Sequence, residues 1–361
     1  MNRYFYLSNI KGIGPMHADE ILSEFPTIED LKNAGELDLY RCQSLTSNEI
    51  SSIKKALADD SYIYRKWDKL YKTDIRYIGK DEDEFPELLR YIAIPPMGIY
   101  VRGNLPDENS VKVAMVGARM CTAYGMSVAR SMAKSITEAG GEVISGMARG
   151  IDAHSHEGAI EAKGRTFAVL AGGADVIYPK ENEKIYRNLL ELGGGIISEY
   201  YIGEEPLRQM FPQRNRIISA LSDAVIIIEA RDKSGSLLTA NYAMDQGKDL
   251  YALPGRITDE LSRGTDELIR EGAFCISSIE RLLFDLGLKG YEHNIVTEDN
   301  KIVLEKEESL LYSCLRLTPK GLDELSRESG LSLTKVINVL ASLRSKGYVS
   351  EYFMNRYIRR I

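Results

Sequence analysis

The sequence predicts an α/β protein whose main domain is a Rossmann-like, doubly wound and mostly parallel sheet. Between residues 111 and 255, short apolar segments alternate with longer segments of helical periodicity. The short segments are continuously apolar, as expected for strands that helices cover on both faces. Helix-rich stretches of different character precede and follow this region.

The predicted strands are short and rich in valine, isoleucine or alanine, and each is followed by a loop rich in small or charged residues. They are placed at residues 111–117, 142–146, 166–172, 194–200, 223–230 and 249–255. Helices fill the intervals, for example over 122–140. Because successive strands of this kind run parallel, their carboxyl ends should meet along one edge of the sheet. The Rossmann-like domain is predicted over 111–288.

Four further regions complete the predicted organisation. Residues 1–75 are predicted as a helical domain, and 76–110 as a proline-punctuated connecting segment that packs on the next domain. Residues 289–305 are polar and predict a linker. Residues 306–361 predict helix, turn, helix and two short strands, which is the pattern of a winged-helix domain.

A glycine pair near the N-terminus indicates a helix-hairpin-helix turn. Gly12 and Gly14 flank Ile13, and a helical segment follows. Glycine amides at such a helix start can hold a phosphate, and an ordinary helical turn is the alternative.

Composition limits the classes of function. No apolar run reaches the roughly 18 residues that a membrane span needs, and the N-terminus lacks the core of a signal peptide. We therefore expect a cytoplasmic location and no membrane partner. The four cysteines are scattered, which predicts neither a disulfide framework nor a zinc site. Since the formal net charge is −7, a polyanionic partner requires a local basic patch.

The loops that follow the predicted strands share glycines, small hydroxyl groups and cations. Glycines let backbone amides approach a ligand, and amides at helix N-termini favour anions. The loops therefore predict a phosphate-binding site, although a solvated or ion-paired position is the alternative for any single arginine. The candidate residues are Gly117, Arg119, Ser145, Gly146, Arg149, Gly172, Gly173, Lys180, Asn182, Arg214, Asn215, Arg216, Ser234, Gly235 and Ser236.

The segment FPQRNRIISALSDAVIIIEA places two cations just before a buried strand. We expect Arg214 and Arg216 to lie at the rim of the phosphate site, within reach of a nucleic-acid backbone. Tyr124, Tyr178 and Phe211 are candidates for stacking on bases, with a place in the core as the alternative for each.

Other ligand classes fit the sequence poorly. The first strand-end loop lacks the glycine spacing of a dinucleotide site, and a Walker A lysine loop is absent. His154 and His156 are two residues apart, so we expect structural histidines and no metal. Asp152 and Glu199 are expected to orient arginines. We therefore predict no cofactor and no catalytic residues.

Seven segments occur in the order and spacing of one known family. They include VGARMCTAYG, SGMARGIDAHSHEGAI, TFAVLAGGADVIYPKEN, SGSLLTANYAMDQGKDLYALPG and SRGTDELIREGA, and together they cover about residues 85–285. In these segments the chain resembles the DNA-processing protein A family, also called DprA or Smf. Two small departures are Ser155, where the family often has alanine, and Ala220, where glycine can stand.

The resemblance implies a function and a set of partners. It implies a single-stranded DNA-binding protein of natural transformation that is not an enzyme, protects incoming strands and loads RecA recombinase. It implies a homodimer formed through the Rossmann-like domain, and it assigns Arg119 and Lys180 to the DNA-binding pocket. Single-strand-binding protein is a further candidate partner. A SAM-like N-terminal domain and a winged-helix C-terminal domain are common additions in this family.

Two rival functions come from other classes. A phosphoribohydrolase of the LOG type would carry a PGGxGTxxE motif, whereas this chain has SGSLLTANYA, with Ala240 and Asn241 near the expected acid. A transcription regulator would use the winged helix to bind duplex DNA. Comparing single-stranded with double-stranded oligonucleotides distinguishes the second rival from a single-strand binder.

Overall fold

The computed structural model describes residues 1–288, 304–316 and 319–359, and within them the elements form three groups. These are N-terminal helices, a nine-stranded sheet covered by helices, and a C-terminal group with a three-stranded sheet. The N-terminal helices are α1 (Arg3–Ser8), α2 (Pro15–Glu24), α3 (Ile28–Asn33), α4 (Glu36–Leu39), α5 (Ser47–Ala58) and α6 (Ser61–Tyr71).

The large sheet takes its strands from residues 75 to 275. They are β1 (Ile75–Gly79), β2 (Gly98–Gly103), β3 (Lys112–Val116), β4 (Glu142–Ser145), β5 (Thr166–Leu170), β6 (Gly195–Ser198), β7 (Ala224–Ile227), β8 (Asp249–Ala252) and β9 (Phe274–Cys275). The helices between and after them are α7 (Glu87–Arg90), α8 (Ala123–Glu138), α9 (Ile151–Glu161), α10 (Glu183–Glu191), α11 (Met210–Ala220), α12 (Gly235–Asp245), α13 (Arg263–Arg270) and α14 (Ile279–Asp285).

The strand order β1-β2-β6-β5-β4-β3-β7-β8-β9 is that of a doubly wound sheet. In the part of the sheet that runs from β6 to β9 in this order, every neighbouring pair of strands is parallel. The chain builds outward from β3 through β4 and β5 to β6, then returns and builds in the other direction through β7. The direction of winding therefore reverses between β3 and β7, and this is where ligands bind in open sheets of this class.

The predicted fold class is confirmed, and all of the predicted strands are present. Their carboxyl ends lie one to three residues earlier than predicted. The difference arises because buried apolar residues continue past the last paired residue, for example Ile228 and Leu253. The apolar residues of the sequence therefore mark the buried segment, which is longer than the segment paired by strand hydrogen bonds.

Residues 76–110 differ from the predicted connecting segment. They contribute β2 and most of β1, which pair antiparallel with each other, and β2 pairs antiparallel with β6. The sheet thus extends past the parallel strands at this edge. On the opposite side of the sheet, the two-residue strand β9, which is not among the predicted strands, lies outside β8.

The N-terminal helices share a hydrophobic core with one face of the sheet. Phe5 of α1 is fully buried, and its ring lies 5.2 Å from that of Tyr77 in β1 and 6.5 Å from that of Tyr100 in β2. Buried residues of β5 and α10, among them Leu170 and Tyr186, belong to the same cluster. The helical region is therefore attached to the sheet by packing as well as by the chain.

The C-terminal elements are α15 (Lys306–Cys314), β10 (Lys320–Gly321), α16 (Leu322–Ser329), α17 (Leu333–Ser345), β11 (Val349–Phe353) and β12 (Arg356–Arg359). The predicted helix, turn, helix and two strands are present, and β10, β12 and β11 form a small antiparallel sheet in that order. Apart from residues 304 and 305, the predicted linker lies outside the described residues. Among the helices described, none combines the length and the apolar character that crossing a bilayer requires.

Candidate nucleic-acid interface

A groove of about 700 Å³ opens at the carboxyl edge of the sheet, where the winding reverses between β3 and β7. Its walls come from the loops after β3 and β7 and from the first turns of α11 and α12. A smaller pocket of about 240 Å³ adjoins it beside the loops after β4 and β5. Arg119, Tyr178 and Phe211 line both cavities. We call the two cavities together the switch-point groove.

The rim of the switch-point groove is basic. Among its lining residues, Arg119, Arg208, Arg231 and Lys233 are exposed cations, and Asp152 is a buried carboxylate. In a chain of net charge −7, this local excess of positive charge gives one edge of the sheet a field that attracts anions.

Asp152 serves the backbone of the loop between β4 and α9. Its carboxylate accepts hydrogen bonds from the amides of Gly146 at 3.2 Å and Ala148 at 3.4 Å. Burial raises the pKa of this carboxyl group, and the nearby Arg214 guanidinium opposes the rise. Asp152 therefore holds the loop in position. Among the rim cations, Arg231 is ion-paired with Glu260 at 3.8 Å, which partly offsets its charge.

Arg214 does not lie at the rim, contrary to the expectation from the sequence. Its side chain is 4% exposed, and Nη1 donates hydrogen bonds to the carbonyls of Gly146 and Val169, both at 2.6 Å. Burial lowers the pKa of this guanidinium to about 10. Gly146 follows the last residue of β4, and Val169 is the next-to-last residue of β5, so Arg214 joins the carboxyl ends of these two strands beneath the groove.

Arg216 is also buried, so the prediction that it lies at the rim is wrong. Its Nη2 donates to both carboxylate oxygens of Glu199, at 2.6 and 2.7 Å. This pair agrees with the expectation that Glu199 orients an arginine. The reason for the misplacement is that α11 packs between the strand ends and α12, which turns both arginines toward the protein.

Two glycines allow the loops to approach one another. Gly150 has φ +75°, and a Cβ there would lie 2.3 Å from the carbonyl oxygen of Ala118. At Gly146, a Cβ would occupy the position of the Arg214 guanidinium, 2.0 Å from Nη1. A side chain at either glycine would therefore push apart the loops that form the groove.

The structure brings most of the predicted site residues to the groove. The candidates that line it are Gly117, Arg119, Gly146, Arg149, Gly172, Arg214, Asn215, Ser234, Gly235 and Ser236. Those outside its lining are Ser145, Gly173, Lys180, Asn182 and Arg216.

The candidates outside the lining have other surroundings. Ser145 is fully buried and donates to the carbonyl of Met115 at 2.6 Å, while the amide of Gly173 donates to the carbonyl of Glu204 at 2.8 Å. Asn182 donates to the carbonyl of Met147 at 2.8 Å, which fixes the loop beside the groove. Lys180 is exposed next to this loop, and it remains a candidate for a strand that extends beyond the groove.

Aromatic rings lie beside the basic rim. The Arg119 guanidinium lies 4.7 Å from the centre of the Phe211 ring, and the Tyr178 and Phe211 rings are 5.9 Å apart. Tyr178 is 47% exposed. Tyr124, the third candidate for stacking, packs instead against the hydrophobic cluster around α8. The groove therefore offers two aromatic faces together with cations.

Three cations of the rim escaped the prediction. Arg208 follows β6, and Arg231 and Lys233 follow β7. Arg119 was predicted because it lies in a loop that follows a strand of the parallel sheet. The three missed cations lie in loops of the same kind, so counting every cation in these loops would have found them.

The two histidines of α9 are bonded within the protein. His154 Nδ1 lies 2.9 Å from Glu157, and His156 Nδ1 lies 2.8 Å from the hydroxyl of Thr166. Burial lowers the pKa of His156 to about 3, so the imidazole is neutral at physiological pH.

Comparison with known proteins identifies relatives of the whole chain and of its sheet domain. The family model of DNA recombination-mediator protein A matches residues 76–287. Protein Smf of Synechocystis is 30% identical over 98% of this chain and 97% of its own length. DNA processing protein DprA of Bacillus subtilis is 39% identical over 59% of this chain and 71% of its own.

Solved structures agree with these matches. DNA processing protein A of Streptococcus pneumoniae superposes with a TM-score of 0.68 at 30% identity, covering 79% of this chain and 98% of that one. DNA processing protein A of Helicobacter pylori superposes with a TM-score of 0.52 at 31% identity, covering 58% of this chain and 95% of that one. The family match begins at β1 and ends within a few residues of α14, so it spans the sheet whose edge forms the groove. The chain belongs to the family of DNA recombination-mediator protein A, whose members include DprA and Smf proteins.

Proposed function

We propose that this chain is a mediator of DNA recombination that binds single-stranded DNA in the switch-point groove and has no catalytic role. The observation that supports this most directly is the combination of exposed cations with the faces of Phe211 and Tyr178 at one edge of the sheet. Single-strand binding uses a positive groove for the backbone and aromatic side chains for the bases. The H. pylori relative has a described single-stranded DNA binding mode.

The shape of the groove favours a single strand over a duplex. The pocket of about 240 Å³ beside Tyr178 and Phe211 can receive an unstacked base. A duplex keeps its bases stacked and paired, so it presents its phosphates but no free base faces. The proposal therefore includes a preference for single strands.

Replacing Phe211 by alanine should weaken single-strand binding about tenfold, because stacking contributes roughly 1–3 kcal/mol per base. The measurement is fluorescence anisotropy with a labelled single strand, the matching duplex and free nucleotides. Tyr71→Ala is the matched control, because Tyr71 is 83% exposed and lies on α6 away from the groove. Equal affinity for duplex and single strand, or an unaffected Phe211→Ala variant, would refute this use of the groove.

We further propose that the chain acts as a homodimer that delivers the strand to RecA recombinase, including strand covered by single-strand-binding protein. Phe274 of the edge strand β9 is 56% exposed and Phe284 of α14 is 69% exposed, so this edge offers apolar surface for association. A two-fold dimer would carry two grooves, and one longer strand could occupy both with a gain in effective concentration.

Light scattering at micromolar concentration should give a dimer, and Phe284→Glu should shift it toward monomer because a charge would be buried in the contact. The dimer should also shorten the lag of RecA filament formation on covered strand. A wild-type chain that stays monomeric removes the dimer proposal. An unchanged lag with normal DNA binding removes the RecA proposal.

A further inference from the structure

We propose that the groove between helix α6 and the edge strand β1 binds an extended peptide segment of a partner protein, which adds a strand to the sheet. A cavity of about 450 Å³ lies there, with walls formed by Trp67, Leu70 and Tyr71 of α6 and by Ile75 and Tyr77 of β1. We call it the α6–β1 groove. It shares no lining residue with the switch-point groove, so the inference does not rest on the proposed function.

The register of the sheet directs the backbone groups of Tyr77 away from its one neighbouring strand. In an antiparallel pair, residues that exchange hydrogen bonds alternate with residues whose N–H and C=O point outward. The amide of Lys80 donates to the carbonyl of Met97 at 2.9 Å, so the even-numbered residues of β1 are the ones that bond to β2. Tyr77 lies between two of them. Since β1 is the last strand at its end of the sheet, the outward groups of Tyr77 meet no further strand.

The amides on either side of Tyr77 agree with this direction. Ile75 donates its amide to Thr73 Oγ1 at 3.2 Å, outside the ladder. Gly79 donates its amide to Glu82 Oε2 at 2.8 Å, also outside the ladder. Within the part of the chain that the structure describes, neither the N–H nor the C=O of Tyr77 has a comparable partner.

An open donor and an open acceptor on one residue determine the shape of the ligand. Backbone groups of a residue as buried as Tyr77, which is 8% exposed, are nearly always paired. The missing pair consists of the two bonds that one residue of an antiparallel strand exchanges with its opposite. Extended peptides bind to sheet edges in this way, and pockets beside the edge receive their side chains.

The walls of the groove determine the chemistry of the side chain that enters it. Trp67 and Tyr71 lie one turn apart on α6, and Tyr71 is 83% exposed, so the groove offers aromatic surface to a ligand. The charged residues of the rim, Asp74 and Arg76, are ion-paired with other side chains of the protein. The residue opposite Tyr77 projects its side chain to the same face of the sheet, toward α6. An aromatic or large aliphatic side chain at that position fits the groove.

A second copy of the chain fits this site less well than a peptide does. The β1 strand of another copy can reach the edge, but none of its side chains is available to fill the groove. Ile75 and Tyr77 are buried in the core of their own chain. Arg76 and Ile78 alternate with them and lie on the opposite face of the strand. The occupant is therefore a segment of another protein, and self-association is an outcome of the test.

The single tryptophan of the chain reports on the groove, because Trp67 lines it. The probe for the full-length protein is the acetylated and amidated hexapeptide KTVFTK, which contains no tryptophan. It should change the tryptophan emission in a saturable manner. The alanine peptide KTVATK should bind about tenfold more weakly, because it loses the buried aromatic ring. The proline peptide KTVPTK should be weaker still by about fivefold, because proline cannot donate to the carbonyl of Tyr77.

A pair of exposed tyrosines provides the matched protein variants. Tyr71→Ala should weaken the binding of fluorescein-labelled KTVFTK about fivefold in fluorescence anisotropy, because it removes one wall of the groove. Tyr91→Ala should bind like the wild type, since Tyr91 is 77% exposed and does not line the groove. Both variants should keep the melting temperature and the single-strand affinity of the wild type. Equal peptide affinity in Tyr71→Ala, Tyr91→Ala and the wild type would contradict the site.

Hydrogen exchange tests the backbone contact directly. Saturating KTVFTK should slow exchange of the Tyr77 amide about tenfold, and the already bonded amides of Ile75 and Gly79 should change little. A change in emission without protection at Tyr77 would overturn strand addition. No saturable change with any of the three peptides would overturn the site itself. Protection of Tyr77 that rises with protein concentration in the absence of peptide would assign the edge to a second copy and overturn the peptide proposal.

Discussion

Exchanging Arg119 and Lys180 for alanine together should reduce the affinity for single-stranded DNA about a hundredfold or more. A hydrogen bond to a charged group contributes roughly 1.5–3 kcal/mol, and each variant removes one such contact to a phosphate. The salt slope should become shallower by about 0.7 for each lost charge. Arg119→Ala should have the larger single effect, because Arg119 lines both cavities of the groove whereas Lys180 lies outside their lining.

A cation at the other end of the parallel strands, away from the groove, provides the control. Lys163 is exposed in the turn between α9 and β5, at the amino ends of the parallel strands. Lys163→Ala removes one positive charge, as Arg119→Ala and Lys180→Ala each do. It should therefore change the affinity for single-stranded DNA only by the small effect of net charge. A folded double variant with the affinity of the wild type would exclude the groove as the main DNA site.

Replacing Arg214 by alanine should destabilise the sheet domain by about 3–5 kcal/mol, the usual cost of removing one partner from a buried charged network. The change leaves the carbonyls of Gly146 and Val169 without their donor and Asp152 without a nearby cation. The melting temperature should fall by roughly 6–20 °C for a domain of this size. Thermal denaturation followed by circular dichroism measures this fall.

The matched exposed variant is Arg187→Ala, since Arg187 is 69% exposed and pairs with Glu183 on the surface of α10. An exposed pair of this spacing contributes only about 0.3–0.5 kcal/mol, so the melting temperature should stay within about 2 °C of the wild type. The comparison also tests the position of Arg214. If Arg214 contacted DNA from the rim, its variant would keep its stability and lose only affinity.

The sequence was most informative where local pattern and structure coincide. The parallel strands are continuous apolar segments because helices cover both faces, so their positions could be predicted within a few residues. β1 and β2 could not, because their place in the sheet depends on pairing with β6, almost 100 residues later in the chain. A pattern confined to residues 76–110 contains no information about that partner.

In the candidate site, too, the local pattern predicted some features, and packing against distant residues decided the others. The strand-end rule brought Arg119, Gly146 and Ser234 to one groove because parallel strands end at one edge. It could not tell an arginine that faces the groove from one that points into the protein. Arg214 and Arg216 were misplaced because the packing of α11 decides their direction, and the sequence of α11 alone does not show which neighbours it meets.

The pairing of β2 with β6 also has a consequence for synthesis on the ribosome. The N-terminal helices emerge first, yet part of their core comes from β5, α10 and the residues around Ile202. β2 can pair with β1 early, but its other side has no partner strand until Gly195 to Ser198 of β6 have been made. The first half of the nascent chain therefore stays incompletely folded until more than 200 residues have been made. Aromatic residues of this core, such as Phe5 and Tyr100, lack some of their final partners during that interval, and incompletely folded chains of this kind are prone to aggregation.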